Sequence, residues 1–228
     1  MDALIASGRV RVNGLPLEGP GQPVHPGRDV VTLDGRPLEI HLENFIYVFN
    51  KPVGVLTTMR DPQGRPTVAE YLDSLPGRVF PVGRLDMDSA GLLLFTNDGK
   101  LAHRLAHPRY GVEKEYRVLA EGRLTPERIA ALEEGIELEE GVTSPARVCD
   151  TLRPLPQLAY AQGRCVFHLI LHEGWKRQVR RMCAAVGLPV LELVRVRYDS
   201  IYLDDLAPGA LRRLDAGEYA RLRTQVGL

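Results

Sequence analysis

A short polar segment, Gly83-Arg84-Leu85-Asp86-Met87-Asp88-Ser89, stands directly before the apolar run Gly91–Thr96. A carboxylate on a loop that leads into a buried strand is held rigidly while it faces solvent, which suits a nucleophile or a general base. Asp86 is therefore a candidate catalytic residue. The plainer interpretation is that Asp86 pairs with Arg84 or caps a turn, and Asp88 is given only such a structural role.

A second polar cluster, Glu113-Lys114-Glu115-Tyr116-Arg117, begins a predicted strand. Side chains two residues apart on a strand project from the same face, so Lys114 and Tyr116 point the same way. An amine and a phenol placed together can position and stack a planar ring. Taken alone, the same alternation is typical of a solvated sheet face.

A third cluster lies in Glu173–Met182 and opens a basic helix that is predicted to run from Lys176 to Val186 and to end at Gly187. Like charges four residues apart repel, and cations are disfavoured at a helix N-terminus. Two such pairs occur here: Lys176 with Arg180 and Arg177 with Arg181. The pattern predicts an anionic partner, for which phosphates and a buried carboxylate both qualify.

The total charge hides a strong asymmetry along the chain. The 29 basic and 29 acidic residues cancel, which taken as a total argues against a polyanion partner. Residues 174–198 hold six basic residues against one acidic, a net charge of +5, whereas residues 121–150 hold three against eight, a net charge of −5. The basic segment favours an RNA partner on one side of the molecule.

Several other classes of site are excluded by missing motifs. Phosphate-binding and dinucleotide glycine loops, zinc motifs and the serine-hydrolase elbow are all absent. Three scattered cysteines predict neither a disulfide framework nor a metal site, and are interpreted as reduced and buried: Cys149, Cys165 and Cys183. We expect no metal and no cofactor. Without an apolar span or a signal peptide, a soluble, cytoplasmic protein with no membrane partner is expected.

The elements that must position these clusters are strands interleaved with irregularly placed helices. Strands are predicted at Phe45–Phe49, Gly91–Thr96, Glu115–Ala120 and Cys165–His172, with two more between Val190 and Leu203. Helices are predicted at Thr67–Leu75, after Asn97-Asp98-Gly99 and from Thr125-Pro126-Glu127. The order predicts an α+β fold with a mixed, mostly antiparallel sheet and flanking helices.

A small amino-terminal unit is predicted over residues 1–42, ahead of a larger domain over residues 43–228. A short helix through Ile5 is followed by Arg9-Val10-Arg11-Val12, and Asn13-Gly14 then marks a hairpin. A further short strand, Val30–Leu33, ends at Asp34-Gly35. About 40 residues are marginal as an independent domain.

From about Phe45 to the end, four motifs in this order resemble those of the pseudouridine synthases, specifically the RsuA/RluB branch that modifies ribosomal RNA. They are Asn50-Lys51-Pro52-Val53-Gly54-Val55, Gly83-Arg84-Leu85-Asp86 followed by Gly91-Leu92-Leu93-Leu94, Lys114-Glu115-Tyr116 and Gln178-Val179-Arg180. The resemblance implies a cofactor-free isomerase that turns uridine into pseudouridine. It makes Asp86 the nucleophile, Arg180 the arginine that holds Asp86, and Tyr116 the ring that packs on the uracil.

The same resemblance implies a ribosomal RNA substrate, free or in an assembly intermediate, and a monomeric enzyme. A base inside RNA must leave the stack before Asp86 reaches it, which costs a few kcal/mol. The predicted substrate-binding residues are Arg84, Lys114, Lys51, Arg177 and Lys176. Likeness of Gly91–Tyr116 to the RluB type favours 23S over 16S RNA.

Two features depart from the family. The segment Leu4–Gly14 resembles only the second half of the αL RNA-binding module of a small-subunit ribosomal protein, so a truncated module is expected. Trp175 stands where the family more often has a basic or small polar residue, and offers a stacking surface.

Two other functions remain open on the sequence. A noncatalytic RNA-binding or ribosome-assembly protein would use the basic helix and leave Asp86 structural. A glycosidase would use Asp86 with Asp88 as a carboxylate pair, but two residues apart on a loop does not fix the separation of about 5 to 9.5 Å that such enzymes use.

Overall fold

The computed structural model divides the chain into two compact units, Met1–Glu43 and Asn44–Leu228. It describes residues 2–17, 19, 21–25, 27–38, 44–73, 75–149 and 163–228. Each unit has its own sheet.

The first unit is a short helix followed by a small sheet. Its elements are α1 (Asp2–Ala6), β1 (Val10–Val12), β2 (Leu15–Pro16), β3 (Val31–Leu33) and β4 (Arg36–Pro37), in the sheet order β2-β1-β3-β4. The hairpin predicted at Asn13-Gly14 is confirmed, since both residues have positive φ and Val12 lies opposite Leu15. None of the described side chains in this unit is buried. Its likeness to an αL module stays a prediction.

The second unit contains a nine-stranded sheet, a two-stranded ribbon and flanking helices. The strands are β5 (Ile46–Lys51), β6 (Phe80–Val82), β7 (Ala90–Thr96), β8 (Lys114–Glu121), β9 (Glu137–Leu138), β10 (Gly141–Val142), β11 (Arg147–Cys149), β12 (Arg164–Leu171), β13 (Val190–Tyr198), β14 (Ile201–Tyr202) and β15 (Leu211–Arg213). The helices are α2 (Gly99–Ala106), α3 (Pro126–Glu134), α4 (Gln178–Ala185) and α5 (Ala216–Gln225), with single 3₁₀ turns at Val68–Tyr71 and Pro108–Tyr110. No described helix has the length and apolar content needed to span a membrane.

The large sheet confirms the predicted α+β class. Its main path runs β11-β12-β8-β13-β7-β5-β15, with β14 beside β13 and β6 beside β7. Only β7 and β13 pair in parallel among the strands described. The predicted helix Thr67–Leu75 is wrong in extent: the chain makes one 3₁₀ turn, with Thr67 and Glu70 forming a capping box.

Both faces of the central strands are buried. Along β7, Leu93 and Phe95 face one core, and Leu92 and Leu94 face the other. Helices α3 and α4 contribute to the first core, and α2 and α5 to the second. A strand covered on both sides has no polar face, which explains the unbroken apolar run in this part of the sequence.

The parallel contact between β7 and β13 depends on a glycine. Gly91 lies opposite Arg195, and its φ of 102° is unfavourable for other residues. A Cβ at this position would lie 2.3 Å from the Arg195 carbonyl oxygen and 2.7 Å from its backbone nitrogen. Since both neighbours are backbone atoms of a central strand, the two strands meet this closely only with glycine here.

We therefore expect Gly91→Ala to lower the free energy of unfolding by at least about 3 kcal/mol, because it adds a steric clash to an unfavourable φ. Gly64→Ala is the matched control: Gly64 also has positive φ, at 70°, but no atom lies within 4 Å of its added methyl group. The control should lose about 1 kcal/mol. Urea unfolding of both variants measures the difference, and equal losses would contradict the close approach.

Candidate active site

The three polar clusters meet around one cavity of about 660 Å³ in the second unit. Six of the eight predicted site residues line it: Arg84, Asp86, Lys114, Tyr116, Lys176 and Arg177. Apolar side chains complete the wall: Leu85, Leu171, Val179 and Leu193. Lys51 and Arg180 are not among the lining residues.

Asp86 lies on the loop between β6 and β7. The loop is fixed by Thr57, whose hydroxyl donates to the Leu85 carbonyl at 2.8 Å and accepts from the Leu85 amide at 3.2 Å. The Ser89 amide donates to the Asp86 carbonyl at 3.1 Å. Within the part of the chain that the structure describes, the half-buried Asp86 carboxylate has no hydrogen bond or ion pair. A rigid backbone thus presents an unengaged carboxylate to the cavity.

Lys51, which was expected to contact substrate, is not among the residues that line the cavity. The side chain is fully buried, and its Nζ donates to the carbonyls of Pro52 at 2.9 Å and Ser89 at 2.8 Å. Lys51 therefore ties the first motif to the loop that carries Asp86. Burial lowers the pKa of Lys51 to about 8, although the negative charge of Asp86 partly opposes that shift.

Asp88, rather than Asp86, is the carboxylate that holds the arginines. Arg177 binds the Asp88 carboxylate through both terminal nitrogens, at 3.0 and 2.8 Å. The Nε of Arg180 lies 3.3 Å from the same carboxylate, and its Nη2 donates to the Asp88 carbonyl at 2.7 Å. These contacts, led by the hydrogen bonds from Arg177, lower the pKa of Asp88. The expected Arg180–Asp86 pair is therefore replaced by an Arg180–Asp88 pair.

The basic helix begins two residues later than predicted. Arg177 is the N-cap of α4 with a positive φ of 51°, so Lys176 and Arg177 precede the helix. The arginines are neutralised within the protein: Asp88 binds Arg177 and Arg180, and Glu140 binds Arg181 at 2.7 and 2.9 Å. The predicted repulsion is thus relieved by the chain's own carboxylates. Lys176 and Arg84 are exposed, without a hydrogen bond or ion pair to any described residue.

A buried polar group positions the loop before α4, and sequence reasoning missed it. The Glu173 carboxylate accepts hydrogen bonds from the amide and hydroxyl of Ser144, both at 3.0 Å, and from the Gln178 side chain. The Gln178 oxygen in turn accepts from the Trp175 amide at 2.9 Å. Trp175 thereby lies half-exposed along the cavity.

The opposite wall of the cavity is formed by β8 and β13. Lys114 and Tyr116 share the same face as predicted, and both line the cavity. The Nζ of Lys114 donates to the Val112 and His172 carbonyls at 3.3 and 3.4 Å. Burial, and then the charge of Arg195, lower the pKa of Lys114 to about 8. Lys114 is thus a buried cation rather than a solvated one.

Arg195 is a lining residue that the sequence analysis counted only as part of a basic segment. It lies opposite Tyr116 on β13 and is 2% exposed. Its Nε donates to the Leu92 carbonyl at 2.7 Å, and its Nη1 donates to the Tyr116 hydroxyl at 3.4 Å. The sequence does contain one indication that Arg195 is a site residue: it is an arginine inside an apolar strand, where a buried charge needs partners.

The described residues contain no group of three or more His, Cys, Asp or Glu side chains that could hold a metal ion. Their cysteines are free thiols: Cys165 and Cys183 are buried, whereas Cys149 is half-buried instead of buried as expected. The polar groups that line the cavity include a carboxylate, a phenol, ammonium groups and guanidinium groups.

A protein-family model described as RNA pseudouridylate synthase matches residues 45–185, which include all of the lining loops. The chain belongs to this family. An uncharacterized RNA pseudouridine synthase of Aquifex aeolicus is 40% identical, with all of this chain and 88% of that protein covered. The ribosomal large subunit pseudouridine synthase B of Bacillus subtilis is 39% identical, with 97% and 88% covered. Both relatives support an RsuA/RluB-like pseudouridine synthase.

A crystal structure of a pseudouridylate synthase matches this fold with a TM-score of 0.70 at 30% identity, covering 97% of this chain and 91% of the other. The synthase is therefore an isomerase that acts on RNA. Its cavity, with Asp86 on the loop that leads into the central strand β7, is the candidate site of that isomerisation.

The buried cation Lys51 gives a pH dependence of stability. Its pKa is about 8 in the folded chain against 10.5 when unperturbed, so the unfolded chain binds the proton more tightly. Between these values unfolding takes up a proton, and the contribution of Lys51 to the free energy of unfolding rises with pH. The rise is at most about 3 kcal/mol.

We expect the wild type to gain stability relative to Lys51→Met between pH 7.5 and pH 10. The measured quantity is the unfolding free energy of the wild type minus that of the variant, from urea unfolding. The same comparison with Lys100→Met, which removes an exposed lysine, should give a flat difference. A flat difference for Lys51→Met as well would show that burial does not shift the pKa of Lys51.

Proposed function

We propose that the synthase converts a specific uridine of 23S ribosomal RNA to pseudouridine, with Asp86 as the nucleophile acting on a flipped-out nucleotide. The observation that supports this assignment most is the unengaged Asp86 carboxylate in a cavity that also contains Tyr116 and Lys114. The large-subunit substrate is supported by the name of the relative from Bacillus subtilis.

The reaction needs a nucleophile, a pocket that retains the detached base, and no external reagent. Asp86 attacks C1′ of the ribose while the bond from C1′ to N1 breaks and its electron pair stays on the uracil. The base turns in the cavity, and C5 then bonds to C1′ and displaces Asp86. C5 loses its proton and N1 gains one, so the product is an isomer of the substrate.

The cavity wall supports the stages at which the base is detached. Tyr116 packs on the uracil ring, and the Arg195 hydrogen bond to its hydroxyl fixes the orientation of the phenol. Leu85, Leu171 and Leu193 give the ring an apolar enclosure. A cavity of about 660 Å³ lies within the usual range for small-molecule sites, so it can admit one nucleoside.

RNA contacts are assigned to cations at the cavity that have no internal partner. Lys176 and Arg84 are exposed and unpaired among the described residues, which leaves them available to phosphates. Arg177 is held by Asp88 but is also partly exposed. Their contacts offset the few kcal/mol needed to extrude a base from the RNA.

Asp86→Asn tests the nucleophile. We expect pseudouridine at one position of 23S RNA to disappear in a strain that lacks the gene, to return with the wild-type gene, and to stay absent with Asp86→Asn. The amide keeps the shape of the side chain but cannot attack C1′. The carboxylate makes no hydrogen bond or ion pair among the described residues and acts on Lys51 only through its charge, so the unfolding free energy should fall by no more than about 1 kcal/mol.

The matched control is Asp73→Asn, which alters an exposed carboxylate outside the cavity lining and should restore the modification. Full modification by Asp86→Asn would overturn the assignment of the nucleophile. If the position that the wild-type gene restores lies in 16S RNA, the large-subunit assignment would be wrong and the proposed reaction would stand. RNA binding without any pseudouridine difference would favour a noncatalytic RNA-binding protein.

The exposed cations are tested by salt dependence. Lys176→Ala should weaken binding to a 23S transcript and reduce the slope of log K against log salt by about 1, because one phosphate contact is lost. Arg221→Ala is the control, since this exposed residue lies on α5 and outside the cavity lining. Filter binding at several salt concentrations measures both, and equal slopes for the two variants would remove Lys176 from the RNA contact.

A further inference from the structure

Two residues that line the cavity have buried donors whose hydrogen-bonding capacity no described residue uses. They are the Ser89 hydroxyl and the Arg195 Nη2. Ser89 is 1% exposed and Arg195 is 2% exposed. An unpaired buried donor is destabilising, so two of them on lining residues of one cavity point to a bound ligand that would satisfy them.

Both donors are held in place by the fold. The Ser89 amide donates to the Asp86 carbonyl and the Ser89 carbonyl accepts from Lys51, so the residue is fixed on both sides. The Arg195 guanidinium is anchored by its hydrogen bonds to Leu92 and Tyr116. Ser89 lies two residues before Gly91, the residue that contacts the Arg195 backbone, so the parallel strand contact brings the backbones of Ser89 and Arg195 into one region.

The surroundings of this region favour negative charge. Lys51 and Lys114 are both buried, and the positive charge of Arg195 acts on each of them. The negative charges of Asp86 and Asp88 act on Lys51, and that of Glu173 acts on Lys114. An anion that forms in the cavity would be attracted by all three buried cations.

The reaction proposed above generates such an anion. When Asp86 bonds to C1′, the electron pair of the broken C1′–N1 bond stays on the uracil. The negative charge spreads over N1 and the two carbonyl oxygens, O2 and O4. When C5 later bonds to C1′, the electron pair of the Asp86–C1′ bond returns to the carboxylate.

We propose that the Ser89 hydroxyl and the Arg195 Nη2 donate hydrogen bonds to the carbonyl oxygens of the detached uracil and stabilise it as an anion. Fixed donors that face developing charge stabilise the transition state more than the bound substrate. The same donors favour uracil over cytosine, because cytosine has an amino donor at C4 where uracil has a carbonyl acceptor. This assignment rests on the proposed function and adds Ser89 and Arg195 to the catalytic residues.

Ser89→Ala gives the sharper test, because catalysis and stability are expected to change in different ways. The substitution removes only the hydroxyl, and losing an unpaired buried donor leaves the unfolding midpoint unchanged or higher. The expected kcat on a 23S transcript labelled with tritium at uridine C5, measured by tritium release, falls about 10- to 100-fold with little change in KM. If Ser89 were only structural, kcat would fall only together with the unfolding midpoint.

Arg195→Lys is the second variant, since it keeps a positive charge but lacks the second terminal nitrogen. We expect its kcat to fall at least about 100-fold. Arg197→Lys is its matched control: Arg197 is buried on the same strand, its three nitrogens bond to Glu115, Glu113 and the Asp199 carbonyl, and it does not line the cavity. The control should lose stability and keep its kcat.

The outcomes separate this assignment from the proposed function. A wild type that forms no pseudouridine in the transcript would overturn both. An active wild type and an inactive Asp86→Asn, together with a Ser89→Ala variant of unchanged kcat, would overturn the anion-stabilising role alone. A lowered kcat in Ser89→Ala at an unchanged or higher unfolding midpoint would support it.

Discussion

The close backbone contact between Gly91 and Arg195 is the constraint on which the site depends. It joins β7 to β13 in the parallel pairing of the sheet. The loop with Asp86 enters β7 at this point, and β13 places Arg195 opposite Tyr116. The nucleophile and the wall that faces it therefore come from segments about a hundred residues apart in sequence, and one glycine without a side chain allows them to meet.

Local patterns in the sequence were enough to predict much of the site. The apolar run after Asp86 and the alternation at Lys114 and Tyr116 correctly indicated a loop before a buried strand and two side chains on one face. Both inferences depend on neighbours within a few residues. The resemblance to the synthases supplied the roles, which neither pattern gives by itself.

The remaining features depended on contacts that are distant in sequence. Lys51 bonds to the Ser89 carbonyl, and Arg180 pairs with Asp88 instead of Asp86, because the folded loop places that carboxylate next to α4. The later start of α4 follows from the positive φ of Arg177, which Asp88 helps to hold. Periodicity and charge counts contain no information on which of two nearby carboxylates an arginine will reach.

Strands β5 and β7 are buried on both faces, which affects how the register of their pairing is determined. In a sheet with one solvent-exposed face, a register shift by one residue exposes the apolar side chains and is strongly destabilising. Here such a shift would exchange Leu92 and Leu94 with Leu93 and Phe95, so apolar side chains would still be buried on both sides. Hydrophobicity alone distinguishes poorly between the two alignments. Gly91 distinguishes the two alignments, since any other residue of β7 in its place would bring a Cβ against the Arg195 backbone. This glycine therefore fixes the register of β7 against β13.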